Sequence, residues 1–323
     1  MYEDASTDHH SLVPDRTSAV DAAAPAAPLA DRLPPHLFFV GSAVFHYLGP
    51  AFAVLLFARI DVLGVAWLRI ASAAVVLGLW RRPLRLWSRL DTGTRRLLVG
   101  WGTVLAGMNA CFYLAIDRLP LGTVAAIEFL PVVALAALAV RTGRNALALL
   151  AAVTGVYLVT DVRLVAEPTG IAFAAANAML FSGYVVLGHR AARHDGVSGI
   201  DGLALSMIVA TVVALPIGIG AAAPAFSDPL ALAAGCGVGI TSSVIPYVCD
   251  QLAMARLARA TYALLVSLLP ATATGIGVVV LAQVPTPADV AGVALVVTGV
   301  AVHRARPRPI GAGVRPSRRS PAS

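Results

Sequence analysis

"PLGTVAAIEFLPVVALAALAV" occupies residues 120–140. Its only charged residue is Glu128, close to the middle. Without that carboxylate the stretch is an apolar run of about 20 residues, the length that crosses a bilayer core as a helix. A charge at a helix centre costs roughly 2.5–3.5 kcal/mol on insertion scales, and each Leu or Ile offsets about 0.3–0.6 kcal/mol. The segment therefore predicts a span that inserts despite Glu128. It also predicts that Glu128 faces a partner or a wet cavity, never lipid. Ala125, one helical turn earlier, is small enough to leave room beside the carboxylate.

The same pattern recurs outward from this stretch. The chain has 323 residues, 58 % hydrophobic and 13 % charged, with a mean hydropathy of +0.81. Soluble domains carry about a quarter charged residues. The apolar runs are too long and too even for barrel strands, and a bilayer admits only helices or closed barrels. The fold class expected is an all-α integral membrane protein. Ten transmembrane helices are predicted, at 36–57, 62–80, 97–116, 120–140, 146–163, 169–188, 202–222, 230–252, 260–282 and 287–303.

The basic charge is all arginine: 24 Arg and no Lys, for a net charge of +7. Twenty lie in the tails and in the loops on one side of the expected spans, three (Arg59, Arg118, Arg163) lie on the other, and Arg69 lies within a span. The positive-inside rule then puts both termini in the cytoplasm. Membrane orientation accounts for these charges better than nucleic acid does. Residues 1–35 read as a disordered cytoplasmic tail, and 304–323 as an Arg/Pro-rich tail lying against anionic headgroups. The cysteines Cys111, Cys236 and Cys249 are odd in number, lack a C-x-x-C pattern and read as small apolar residues.

The chain repeats itself. "LAIDRLPLGTVAAI" (114–127) matches "LAMARLARATYALL" (252–265), and "VTGV" at 153–156 recurs at 297–300. Each copy holds five spans, 36–163 and 169–303. Five is odd, so the second copy enters the membrane inverted. Such repeats point to alternating access about a site near midplane.

"GMNACFYLAIDRLPLGTVAAIEFLP" (107–131) resembles the signature of the EamA-type drug/metabolite transporter superfamily, most like its RhtA-type threonine/homoserine exporters. "VAWLRIASAAVVLG" (65–78) and "SSVIPYVCDQLAMARL" (242–257) are similar to the corresponding spans. The resemblance implies a secondary transporter, not an enzyme, of multi-pass cell-membrane location. Its implied function is export of small amino acids or related metabolites by proton antiport. The sequence departs from the pattern at three points. Pro131 comes one residue early, Leu269 stands before Pro270 where an acid is usual, and Gln283 replaces another acid.

Arg69 is the only intramembrane arginine and shares the midplane with Glu128. Two readings stand open: a structural ion pair, or a split site in which Arg69 clamps a substrate carboxylate and Glu128 holds an ammonium or a proton. Proline frees the carbonyl four residues back. Pro50, Pro131, Pro246 and Pro270 free those of His46, Ile127, Ser242 and Val266, and Pro216 acts similarly. These are cavity-lining breaks or packing kinks. His46 is a proton relay or a core histidine. Asn109 and Asn177 are ligands or interhelical glue. Tyr184, Tyr247 and Tyr262 line the cavity or pack. Asp250 is an inner gate or an interfacial aspartate.

No Walker A motif, H-E-x-x-H, zinc-spaced Cys/His cluster or G-x-S-x-G elbow occurs. No cofactor and no metal are expected. The expected partners are a small-molecule substrate, protons and membrane lipids, with no nucleic acid; a homodimer is left open. Competing readings are a superfamily member moving a drug-like or different metabolite and, more distantly, a membrane-embedded enzyme or scaffold.

Overall fold

The computed structural model describes residues 34–139, 142–191, 197–257, 265 and 268–302. Among these, regular structure is helical throughout. The helices are α1 (Pro35–Leu56), α2 (Val62–Arg81), α3 (Thr92–Ile116), α4 (Leu121–Ala139), α5 (Gly143–Ala166), α6 (Pro168–Ala191) and α7 (Gly199–Ser227), with a single turn at Leu84–Trp87 before α3. They continue as α8 (Pro229–Gly239), α9 (Ile245–Arg256), α10 (Leu269–Leu281) and α11 (Pro287–Val302). The five-residue π turn Ile240–Val244 joins α8 to α9 in one continuous rod.

The helix starts follow from local chemistry. Asp61 accepts from the Leu63 amide at 2.9 Å. Asp91 accepts from Thr94, Ser198 from Asp201 and Asp228 from Leu230 and Ala231. Each caps amides that the helix cannot pair itself. Six helices are long and apolar enough to cross a membrane: α1, α2, α3, α6, α7 and the Pro229–Asp250 rod. The other four expected spans hold shorter apolar helices, in α4, α5, α10 and α11. The first half of the span expected at 260–282 lies largely outside the described residues, and α10 supplies the second half.

The helices pair across the chain. Helix α2 packs along α7, α3 along α6, α5 along α11, and α1 along the α8–α9 rod, while α4 faces α10. Small residues allow the closest approaches. A Cβ added at Gly64 would collide with the Ala221 carbonyl oxygen, and one at Gly155 would lie 2.5 Å from that of Gly292. So α2 meets α7, and α5 meets α11, backbone against backbone.

The apolar core is asymmetric from end to end. At the end carrying the α1–α2, α3–α4 and α7–α8 connections it is one cluster, running through Leu56, Ile60, Ile116, Leu119, Leu121, Ala225 and Val293. Toward the other end it divides. One part holds Ile70, Leu77, Leu98, Trp101 and Leu205. A smaller part holds Phe39, Ala43 and Ala253. A cavity of about 470 Å³ takes its lining from α1, α2, α3, α4, α6 and α9, together with Leu269 at the start of α10.

Candidate functional site

Glu128 and Arg69 both line this cavity. They are 6 % and 7 % exposed, so each is an almost fully buried ionisable group. Among the described residues, no carboxylate lies within 4.0 Å of Arg69 and no cationic group within 4.0 Å of Glu128. The direct ion pair that the sequence left open is not the arrangement in this conformation.

The partners of Arg69 lie on the rod instead. Its Nε donates to Ser243 Oγ at 3.1 Å, and Nη2 donates to the Ser242 carbonyl at 3.2 Å. That carbonyl is the one Pro246 leaves without its helical donor, and it falls inside the π turn. A proline at one position and an arginine far away in sequence thus satisfy each other's polar needs. The Ser242 hydroxyl is committed to the Val238 carbonyl. Gly239 brings the rod against α2: an added Cβ would sit 2.5 Å from the Arg69 carbonyl oxygen. The guanidinium also stands over the Tyr113 ring, 5.5 Å from its centroid, a cation–π contact. Two of its five N–H groups are committed to the serine bonds.

Asn177 on α6 lines the same cavity and is fully buried. Its side chain lies beside the Glu128 carboxyl. Neither its amide nitrogen nor its amide oxygen meets a partner at hydrogen-bonding geometry. Asn109 differs: its Nδ2 donates to the Leu105 carbonyl at 2.8 Å, within its own helix. His46 also lines the cavity, with its ring edge-on to Tyr47, centroids 5.1 Å apart. Tyr184, Tyr247 and Asp250 complete the wall toward the divided end. Of the expected breaks, Pro50 lines the cavity. Pro246 and Pro270 are buried outside the lining, and Pro131 is partly buried. Pro216 is exposed on α7 and adds nothing to the cavity. Tyr262 lies outside the described residues.

Sequence reasoning did not single out several neighbours. Phe129 meets Phe181 edge-on at 6.2 Å, and Phe181 stacks on Tyr184 at 6.3 Å. This gives one wall an aromatic face. Ser243 was equally silent, because a serine within an apolar helix does not announce its partner. At the undivided end, Gln283 Oε1 accepts from the Leu121 amide at 3.1 Å, tying the start of α4 to the loop after α10.

A paired set of charges in a membrane cavity fits many transporters, and comparison with known proteins narrows the choice. The EamA-like transporter family model matches residues 168–304. The "Threonine/homoserine exporter RhtA" of Escherichia coli (strain K12) is 31 % identical over 243 residues, covering 74 % of this chain and 80 % of that protein. The chain belongs to the EamA family of transporters. The protein of the same name from Salmonella typhimurium (strain LT2) is 30 % identical over 242 residues, again covering 74 % and 80 %. A solved crystal structure at 21 % identity superposes with a TM-score of 0.51, covering 83 % of this chain and 96 % of that one, which supports the fold. This EamA protein is therefore a multi-pass membrane transporter and not an enzyme.

Proposed function

We propose that this EamA protein exports small zwitterionic amino acids, of the threonine and homoserine kind, by proton antiport through alternating access. The observation that carries the reading is the pair of buried, oppositely charged groups sharing one cavity without neutralising each other. A zwitterion supplies both missing counter-charges at once. Arg69 takes the carboxylate, for which its planar fork is suited. Glu128 takes the ammonium on one leg of the cycle and a proton on the other. Burying either charge unpaired is costly, so an empty site favours a protonated Glu128 and a loaded one favours the carboxylate. That alternation is the coupling.

The helix pairing supports two inverted five-helix repeats, 36–163 and 169–303. The pairs α2 with α7, α3 with α6, α5 with α11, α1 with the rod and α4 with α10 each join one proposed repeat to the other, and α4 also packs on α5 within its own. The arginine distribution supports both termini in the cytoplasm. The cavity then opens inward and the single apolar cluster closes the outer side. A homodimer is compatible with this reading and is not required by it.

A second reading has its own observation. The cavity volume of about 470 Å³ lies in the range of drug-sized pockets, roughly 300–1,000 Å³, and its aromatic wall suits a larger amphipathic amine. Export assays on cells expressing the protein separate the two. Threonine and homoserine efflux that rises with the inward proton gradient supports the first reading. Efflux of bulky amines alone supports the second.

A further inference from the structure

Among the described residues that line the cavity, Asn177 carries a buried amide with no partner at hydrogen-bonding geometry. Its nitrogen and oxygen are both buried and unpartnered, and leaving such atoms unpaired costs about 1–3 kcal/mol. Packing does not account for it. A side chain of the same size without polar atoms, such as leucine, would fill that position at no such cost.

We propose that Asn177 is the specificity-determining residue of the cavity, whose amide reads a hydroxyl carried one or two carbons from the α-carbon of the transported amino acid. This rests on the zwitterion site above. Asn177 lies beside Glu128, so an ammonium held by Glu128 brings the substrate's first side-chain atoms to the amide. With Glu128 engaged by the ammonium, the donor and the acceptor of the amide are both open to a group that accepts and donates. A hydroxyl is the smallest group that does both. A methyl in its place leaves the amide as unpaired as it is in the empty cavity. A site built to bond a hydroxyl can reject the analogue lacking it by about 10⁴-fold, whereas an apolar pocket separates near-isosteres by only about 10²-fold.

The test uses the purified full chain in liposomes and two near-isosteric pairs, threonine against valine and homoserine against norvaline. Counterflow gives kcat/KM for each. The wild type prefers the hydroxyl member by about 100-fold or more. Asn177→Leu brings each pair to within about fivefold, by losing the hydroxyl substrates while gaining the apolar ones. A Leu variant that keeps the wild-type ratio overturns the proposal. Should Asn177→Leu be inactive, Asn177→Ser is measured, because its hydroxyl retains part of the hydrogen bonding. Partial preference in the Ser variant upholds the proposal. Equal loss of threonine and valine in both variants assigns Asn177 to holding Glu128 or the fold, and the proposal falls. Wild-type protein that moves none of the four amino acids refutes the zwitterion site itself, and this inference with it.

Discussion

At the scale of single residues, the site is built from charges whose partners are missing or unusual. Arg69 binds a serine hydroxyl and a proline-freed carbonyl where a carboxylate would be ordinary. Its bonds give it a structural task, the proposed cycle adds a recognition task, and substitution separates them. Arg69→Gln leaves the Ser242 carbonyl buried without its charged donor, which lowers stability by about 1–3 kcal/mol; thermal unfolding in detergent reads this. The same variant loses at least about tenfold in threonine transport, because a charge-assisted fork is replaced by neutral donors. Equal threonine transport in the variant and the wild type would confine Arg69 to the structural task. Arg69→Lys restores the charge without the fork, and transport stays well below wild type. Glu128 and Arg69 were legible in the sequence because a charge in an apolar run stands out. The state of Asn177 was not. An asparagine in a transmembrane helix usually bonds a neighbour, and only the packed structure shows that this one does not.

At the scale of elements, caps and lengths were largely written in the sequence. Asp61, Asp91, Ser198 and Asp228 cap helix starts, and two of these helices begin earlier than the apolar runs alone suggested, at Thr92 against 97 and at Gly199 against 202. The π turn at Ile240–Val244 was not legible. Pro246 announces a freed carbonyl at Ser242, but what receives it depends on Arg69, 173 positions away. Pro246→Ala supplies an N–H to that carbonyl and competes with the guanidinium. The rod straightens toward a regular helix, and turnover falls while the protein stays folded. The measurement is counterflow rate alongside circular dichroism. Unchanged turnover would mean that the π turn is incidental to transport. At the α2–α7 contact, Gly64→Leu drives a side chain into the Ala221 backbone. Overpacking of this kind costs about 1–3 kcal/mol or more, visible as a lower unfolding temperature and reduced yield. Gly220, on the same helix as Ala221, has open space around its Cβ direction, so Gly220→Ala is the tolerated control.

At the scale of the whole molecule, the division of the core sets direction. One end is a continuous apolar cluster, and the other parts around the cavity. In the proposed alternating-access cycle the sealed end must open, which breaks the Gln283–Leu121 bond and separates α4 from α10. In a background lacking the native cysteines, Ser42→Cys reacts with a membrane-impermeant thiol reagent from the cytoplasmic side. Leu121→Cys is protected until substrate and a proton gradient drive turnover. Protection of Ser42→Cys together with free reaction of Leu121→Cys at rest would reverse the assigned resting state. The all-helical membrane class could be read from the length and evenness of the apolar runs. The inter-helix contacts could not, because apolar faces look alike until they are packed.

In the proposed cycle, Glu128 couples the movement of a zwitterion to that of a proton inside this cavity. The most direct measurement compares wild type and Glu128→Gln in the same liposomes, reading threonine exchange at equal pH and threonine accumulation under an imposed pH gradient. The wild type is expected to do both, while the Gln variant keeps measurable exchange and loses gradient-driven accumulation. Accumulation in the Gln variant equal to wild type would contradict this coupling.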